Sequence, residues 1–119
     1  MKMLSISMPW NSALLKNQAY RGNNPRHGHT PQCKAAMDDI FWLVKEQGGF
    51  VWAGGRIQVT ITAHRGNSLI DAQNLVDSVS DALELALGVN DRYFDVSAVG
   101  KMDKENPRIV IEVEQGEVE

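Results

Sequence analysis

The sequence has little of what would tie it to an oxidising compartment or to a membrane. It contains a single cysteine, Cys33, so no disulfide can form within the chain, and this favours a reducing environment. No apolar run approaches the ~20 residues that a membrane-spanning helix needs. The opening residues, MKMLSISMPW, lack the features of a secretory signal. These absences predict a cytoplasmic protein with no membrane partner.

The length of 119 residues predicts one domain, 1–119, that is large enough to bury its own core. The net charge of -3 hides an uneven distribution. Residues 1–70 carry eight Lys or Arg against three acids, whereas residues 71–119 carry four against twelve. A basic half folded against an acidic half is compatible with nucleic-acid binding, although the overall charge argues against it.

Segment 9–30 contains no acidic residue and is punctuated by Gly, Pro and Asn, which predicts a basic loop. Trp10 and Tyr20 are candidates for stacking on unpaired bases, and packing against their own domain is the simpler alternative. For the cations the alternatives are contact with DNA phosphates and ordinary surface charge. The candidate phosphate ligands are Lys16, Arg21 and Arg26.

The hydrophobic pattern predicts six elements in the order β-α-β-α-β-β. Apolar residues recur every three or four positions in two segments, which predicts helices, and alternate with polar residues in four others, which predicts strands. We expect strands at 3–8, 56–64, 94–102 and 108–114, helices at 31–47 and 72–87, and a loop at 66–70. The pattern favours an α+β domain with a mixed sheet, two helices packed on one face and a final antiparallel hairpin.

The acidic residues of the second predicted helix have a simple explanation. Asp77, Asp81 and Glu84 lie across the helix from its apolar stripe, which is typical of a solvated face. Asp71 precedes this helix and Asp91 follows it, so the two are roughly 20 Å apart along the axis. A helix cap and a turn residue are the simple interpretations of these two. A shared ion would require the later loop to turn back beside the helix start.

The same stretch resembles a known signature. DAQNL at 71–75, DAL at 81–83 and GVND at 88–91 are similar to the D-x-D-N-L-x-K, D-A-L and D-D elements of RusA-type Holliday junction resolvases. These are small endonucleases, often carried by phages and prophages, that act in DNA recombination and repair. The opening strand that ends Met8-Pro9-Trp10 fits the family as well. The resemblance implies a homodimer that binds four-way DNA junctions and nicks two strands symmetrically.

The resemblance also implies site residues. Asp71 and Asp91 match motif aspartates that act in catalysis by holding Mg²⁺ or Mn²⁺. Asn74 and Asp81 match the motif asparagine and the aspartate of D-A-L. In the family these residues would contact the metal ligands and not the metal itself. The resemblance therefore implies that Asp71 and Asp91 share one metal site, whereas their spacing alone does not predict it.

Three positions depart from the family motif. Gln73 replaces the second motif aspartate, Asp77 replaces the motif lysine, and Asn90 replaces the first member of the D-D pair. Gln73 can still offer its amide oxygen to the metal, and Asp77, one helical turn later, is a candidate third catalytic carboxylate. The alternatives are a homologue that binds branched DNA without cutting it, and an unrelated α+β dimer.

Other chemistry has weaker signals. His27-Gly28-His29 has the look of a metal pair but lacks an acidic or cysteine neighbour, so it is weak evidence for a site. Cys33 falls on the apolar face of the first predicted helix and is interpreted as a core residue. The sequence has no Ser-His-Asp arrangement and no nucleotide-binding glycine motif, so no nucleotide cofactor is expected.

Overall fold

Four strands form one mixed sheet in the computed structural model, which describes residues 3–48, 51–65 and 69–116. The strands are β1 (Met3–Pro9), β2 (Ile57–Arg65), β3 (Phe94–Met102) and β4 (Arg108–Gln115). Their order across the sheet is β1-β4-β2-β3, with β2 parallel to β3 and β4 antiparallel to both of its neighbours. The predicted mixed sheet is therefore confirmed.

The two principal helices pack together on one face of this sheet, as the α+β prediction requires. The helices are α1 (Lys16–Ala19), α2 (Pro31–Glu46), α3 (Leu69–Asn74) and α4 (Val76–Leu87). Helix α2 begins where expected, because the Thr30 hydroxyl accepts a hydrogen bond from the Cys33 N–H at 3.1 Å. Helix α4 ends at Gly88, which adopts the left-handed conformation at φ 69°.

The core lies between the sheet and the two helices. Alternate residues of β2 and β4 point toward the helices, and each helix contributes one apolar stripe. The central residues of this core are Ile57, Val59, Ile61, Ile109, Ile111 and Val113 from the sheet and Ile40, Val44, Val79 and Leu83 from the helices, all almost completely buried. None of the helices in the described ranges is long and apolar enough to cross a membrane.

The predicted hairpin between the last two strands is wrong. Strand β2 lies between β3 and β4, and loop 103–107 crosses the end of β2, where the Asp103 N–H donates to the Arg65 carbonyl at 2.7 Å. Alternating polarity assigns a strand to a face of a sheet, but it does not choose the neighbouring strand. Here β4 has a buried apolar face along its whole length and takes a central position.

The second predicted helix is divided into α3 and α4 at Leu75. The Leu75 N–H bonds to the Ala72 carbonyl three residues back, which tightens the chain into a turn, although Leu75 keeps helical dihedral angles. The break turns Ala72 and Leu75 into the core beside β2 and β3. Helix α3 also begins inside the predicted loop 66–70, of which residues 66–68 lie outside the described ranges.

Segment 9–30 is not a plain loop. It contains α1 and three short 3₁₀ turns, and Leu14, Leu15 and Ala19 are buried in the core. Gly, Pro and Asn punctuation indicated turns correctly, but the short apolar pair of leucines was too brief to predict a helix by periodicity. The segment is therefore anchored to the domain by its own apolar side chains.

Removing the cap of α2 should destabilise the fold measurably. Thr30→Ala leaves the Cys33 N–H without its side-chain acceptor, and we expect a loss of about 1 kcal/mol in the free energy of unfolding by urea. Gln32→Ala, an exposed change in the same turn, is the matched control and should stay within about 0.5 kcal/mol of wild type. Equal effects of the two changes would contradict the capping role.

Candidate nucleic-acid interface

One end of the sheet collects most of the basic residues of the protein. Strands β1, β2 and β3 finish there and β4 begins there, because Pro9 and His64 both pair with Arg108 and Arg65 pairs with Met102. Segment 9–30 continues from β1 at this end. Helix α3 also begins here, since only residues 66–68 separate it from β2. We call this the basic end.

The uneven distribution of charge along the sequence gives the two ends of the domain different charges. The described cations of the basic end are Lys16, Arg21, Arg26, Lys34, Arg65, Lys101, Lys104 and Arg108. Acids are also present at the basic end, among them Asp77 beside Lys16, Asp103 paired with Arg108, and Glu105. The acids of the opposite end, which we call the acidic end, are Glu46, Glu84, Asp91, Asp95 and Glu114, and the cations there are Lys45, Arg56 and Arg92. The basic end therefore has more cations than acids, and the acidic end more acids than cations. Clustered cations at one end of a domain attract a polyanion, even when the net charge is negative.

The two aromatic residues proposed to stack on bases contact their own domain. The Arg65 guanidinium lies over the Trp10 ring, 4.8 Å from its centroid, and the Trp10 backbone N–H donates to the Pro107 carbonyl at 3.2 Å. Tyr20 stacks on His29 with ring centroids 4.6 Å apart, and burial raises the pKa of its hydroxyl. Both rings therefore make contacts within their own domain, and base stacking by either stays a prediction.

His29 ties segment 9–30 to α4. Its Nε2 lies 2.8 Å from an Asp81 carboxylate oxygen, and its Nδ1 lies 3.2 Å from the Ala19 carbonyl and 3.4 Å from the Cys33 sulfur. Both ring nitrogens of His29 face protein groups, so the weak sequence signal of a His27–His29 metal pair gains no support. Asp81, expected to support metal ligands, here holds a histidine. Cys33 is buried as predicted, and burial raises the pKa of its thiol.

Lys16 and Asp77 form a second link between segment 9–30 and α4. The Lys16 Nζ lies 3.7 Å from an Asp77 carboxylate oxygen, and the two side chains are 62% and 48% exposed. Asp77 occupies the position at which the RusA-type motif has a lysine. The fold therefore brings a lysine ammonium from another part of the chain to the neighbourhood of that position.

Asp91 begins a short 3₁₀ turn beyond the end of α4, at the acidic end. Its N–H donates to the Glu84 carboxylate at 2.8 Å, and the Asn90 side chain caps the same turn by accepting from the Arg92 N–H at 3.0 Å. The carboxylate of Asp91 is exposed. The departure at Asn90 thus has a local structural role.

Two of the predicted metal ligands, Gln73 and Asp91, lie far apart within one chain. Gln73 is exposed on α3, beside the half-buried Asn74, whereas Asp91 lies beyond the far end of the twelve-residue α4, so about 18 Å of helix separates them. The side chain of Asp71 lies outside the described part of the structure. Among the side chains that are described, no group of three or more His, Cys, Asp or Glu residues is arranged to hold a metal ion. The Asp71, Gln73 and Asp91 set therefore stays a prediction.

The sequence pattern does not predict that four further residues lie together at the basic end. His64, Arg65, Lys101 and Lys104 belong to strands and a turn by their pattern alone, yet the sheet order puts them beside segment 9–30 and α3. No signal in the sequence could have joined them, because their proximity depends on which strands are neighbours.

Comparisons with known proteins leave the family open. No protein-family model matches the chain, and a search of curated proteins gives no match either. The resemblance to RusA-type resolvases therefore rests on the residues of the motif and remains a hypothesis.

The cations of the basic end should have a measurable effect on the pKa of His64. Burial, followed by the nearby Arg108 and Lys101 charges, lowers the pKa of His64 below its usual 6.5. An NMR titration of its Hε1 proton should give a midpoint below 6.5, and Lys101→Ala should raise that midpoint. Lys45→Ala, in the last turn of α2, is the control and should leave it unchanged.

The sign of the effect on stability follows from this lowered pKa. The unfolded chain binds the proton first as the pH falls below about 6.5, so the contribution of His64 to the free energy of unfolding falls in that range. His64→Gln should remove that part of the pH dependence in urea titrations. A midpoint above 6.5 in the folded protein would contradict the assignment.

Proposed function

We propose that this protein is a metal-dependent endonuclease that binds four-way DNA junctions and resolves them by paired, symmetric nicks. The proposal combines the RusA-like motif at 71–91 with the charge distribution of the fold. The observation that carries it is the position of Lys16 beside Asp77. Asp77 stands where the motif has a lysine, and Lys16 brings an ammonium group to the same place.

The motif lysine is missing from the sequence but has a substitute in space. A lysine near the cleaved phosphate would contribute positive charge where negative charge develops in the reaction. Lys16 supplies an ammonium group within 4 Å of the residue at that motif position, and it remains more than half exposed, so DNA can reach it. An exposed ion pair at this distance is weak, which leaves Lys16 free to exchange Asp77 for a phosphate.

The basic end supports the choice of DNA as the substrate. Segment 9–30, in which Arg21 and Arg26 are both exposed, contacts Arg65 at the end of β2 through Trp10 and Asp77 of α4 through Lys16. Helix α3, where the motif begins, lies between Arg65 and Asp77 in the chain. Cations that contact phosphates release the counterions of DNA and dominate affinity. The proposed substrate would therefore lie across the same end of the molecule as the first part of the motif.

The proposed metal site requires two chains. Carboxylate and amide oxygens suit Mg²⁺ or Mn²⁺, so Asp71, Gln73 and Asp91 have the right chemistry. Because α4 separates Gln73 from Asp91 within one chain, the proposed site would take Asp91 from a second chain. The bound ion would supply an activated water and offset the charge of the cleaved phosphate.

A second candidate function is branched-DNA binding without cleavage. It is favoured by Gln73, which is neutral where the motif has a carboxylate. In this case the basic end would bind junctions, and neither Asp91 nor a divalent metal would matter.

Cleavage of a labelled synthetic four-way junction distinguishes the two candidates. With Mg²⁺ or Mn²⁺ the wild type should produce paired nicks, and EDTA or Asp91→Asn should abolish them. Lys16→Met should lower the cleavage rate by about 10²-fold or more, because it removes a charge that acts on the developing phosphate charge. Asp39→Asn, an exposed aspartate of α2, is the matched control and should cleave normally.

The remaining outcomes of this assay also decide between the candidates. A shifted junction band with no nicks in any metal would contradict the nuclease and support the binding protein. Absence of junction binding at modest salt would contradict both candidates.

Junction binding should depend steeply on salt through the basic end. Arg21→Ala combined with Arg26→Ala should weaken binding and reduce the slope of log K against log salt by about 0.9 for each phosphate that the variant no longer neutralises. Arg92→Ala, near the acidic end, is the control and should leave the slope unchanged. A fluorescence anisotropy titration at several salt concentrations measures both quantities. An unchanged slope in the double variant would exclude these arginines from the interface.

A further inference from the structure

The outer edge of β3 is a long strand edge that the described residues leave unpaired. Among the described strands β3 pairs only with β2; it runs for nine residues and contains no proline or bulge. Within the described ranges, no group on the far side from β2 makes a hydrogen bond to the outer edge of this strand. Unpaired N–H and C=O groups on such an edge are a ready template for another strand.

The other edge of the sheet is treated differently. On β1, the Gln47 side chain accepts from the Ser5 N–H at 3.3 Å and donates to the Ser5 carbonyl at 2.5 Å, so its amide occupies the place of a neighbouring strand. β1 also ends in Pro9, which has no N–H to offer. The contrast indicates that β3, and not β1, is the edge available for pairing.

The solvent-facing side of β3 is complementary to itself. Consider two copies of β3 that pair antiparallel about a two-fold axis through Ala98. Asp95 then lies opposite the partner's Lys101, and Ser97 lies opposite the partner's Val99. Side chains must keep to their own face of the sheet, so the register can shift only in steps that preserve this alternation. An axis through Val99 would set Asp95 against the partner's Asp103, and an axis through Ser97 would leave both charges unmatched.

Asp95 is held in place on this side of the strand. Its carboxylate accepts from the Arg56 guanidinium at 2.5 Å and from the Gln58 amide at 3.0 Å, and its side chain is still 45% exposed. The hydrogen bond from Arg56 lowers the pKa of Asp95, so the carboxylate is charged at neutral pH. A fixed and accessible charge is suited to setting the register of a partner strand.

The same register suits the helix-facing side of β3. It sets the buried Phe94 opposite the partner's Met102. Met102 is 64% exposed and is one of the largest exposed apolar side chains described. Between these contacts lie small residues, with Val96 opposite the partner's Gly100 and the two Ala98 residues facing each other. Backbone hydrogen bonds set the spacing of the paired strands, and small side chains at the axis leave room for the helices of the two chains above them.

From these features we infer that a second copy of this chain pairs with the outer edge of β3, which joins two four-stranded sheets into one continuous eight-stranded sheet. Asp95 and Lys101 fix the register, and the exposed Met102 side chain is covered. In a closed two-fold dimer of this kind, the β3 edge of each chain supplies hydrogen-bond partners for the β3 edge of the other. It also sets the basic end of each chain beside the acidic end of the other.

This interface rests on the edge of β3 and not on nuclease activity, although the proposed two-chain metal site would use it. The dimer can be measured without DNA or metal, so its failure and the failure of the proposed function are distinguishable.

A charge reversal tests the register. In sedimentation equilibrium, Lys101→Asp should raise the dimer dissociation constant at least about tenfold, because two pairs of like charges then face each other. Asp95→Asn added to Lys101→Asp removes the facing like charges and leaves an amide oxygen to accept from Arg56, so it should return the dissociation constant to within about fivefold of the wild-type value. Residues 95 and 101 are about 20 Å apart along one strand, so this rescue can only occur between chains.

Two controls keep the test decisive. Lys104→Asp makes the same charge change in the loop beyond β3 and should leave the dimer intact. In a Cys33→Ala background, exposed Ser97→Cys should cross-link two chains with a short bis-maleimide, because diagonal positions lie about 7–8 Å apart. Ser7→Cys on the edge of β1 should not. A strictly monomeric wild type, no rescue by the double variant, or cross-linking through Ser7→Cys alone would each overturn the inference.

Discussion

The parallel pairing of β2 with β3 dictates the course of the chain through the whole domain. Parallel neighbours need a crossover, and here α3 and α4 provide it while their apolar stripes cover the sheet. The crossover carries the chain from one end of the sheet to the other, so it fixes both ends of the RusA-like motif. It also leaves β4 to fill the centre of the sheet and β3 to form its edge.

The acidic stretch of α4 is neither a ready metal site nor merely a solvated face. Each of its three helical carboxylates contacts a different part of the fold: Asp77 contacts Lys16, Asp81 contacts His29, and Glu84 accepts from the Asp91 N–H. Two of these contacts hold segment 9–30 against the helix. These contacts supplement the apolar anchoring of the segment by Leu14, Leu15 and Ala19, whereas the sheet register places the other cations at the basic end.

Charge and edge geometry lead to a consistent picture of the proposed assembly. Within one chain α4 keeps Gln73 away from Asp91, and only a second, antiparallel chain would bring such groups together. The outer edge of β3, which the described residues leave unpaired, offers that antiparallel contact, while Gln47 protects the edge of β1. The need for a partner and the place for it thus arise from independent features of the fold.

Local patterns in the sequence predicted the four strands and the two long helical segments with their buried faces, because periods of two and of about 3.6 residues are local properties of strands and helices. They located α2 and its Thr30 cap, the Gly88 end of α4, and the buried position of Cys33. Only the tertiary structure decided that β2 separates β3 from β4, that Lys16 reaches Asp77, and that Arg65 and Lys101 share one end. Those relations join residues far apart in the chain, and no local pattern encodes which distant surfaces pack together.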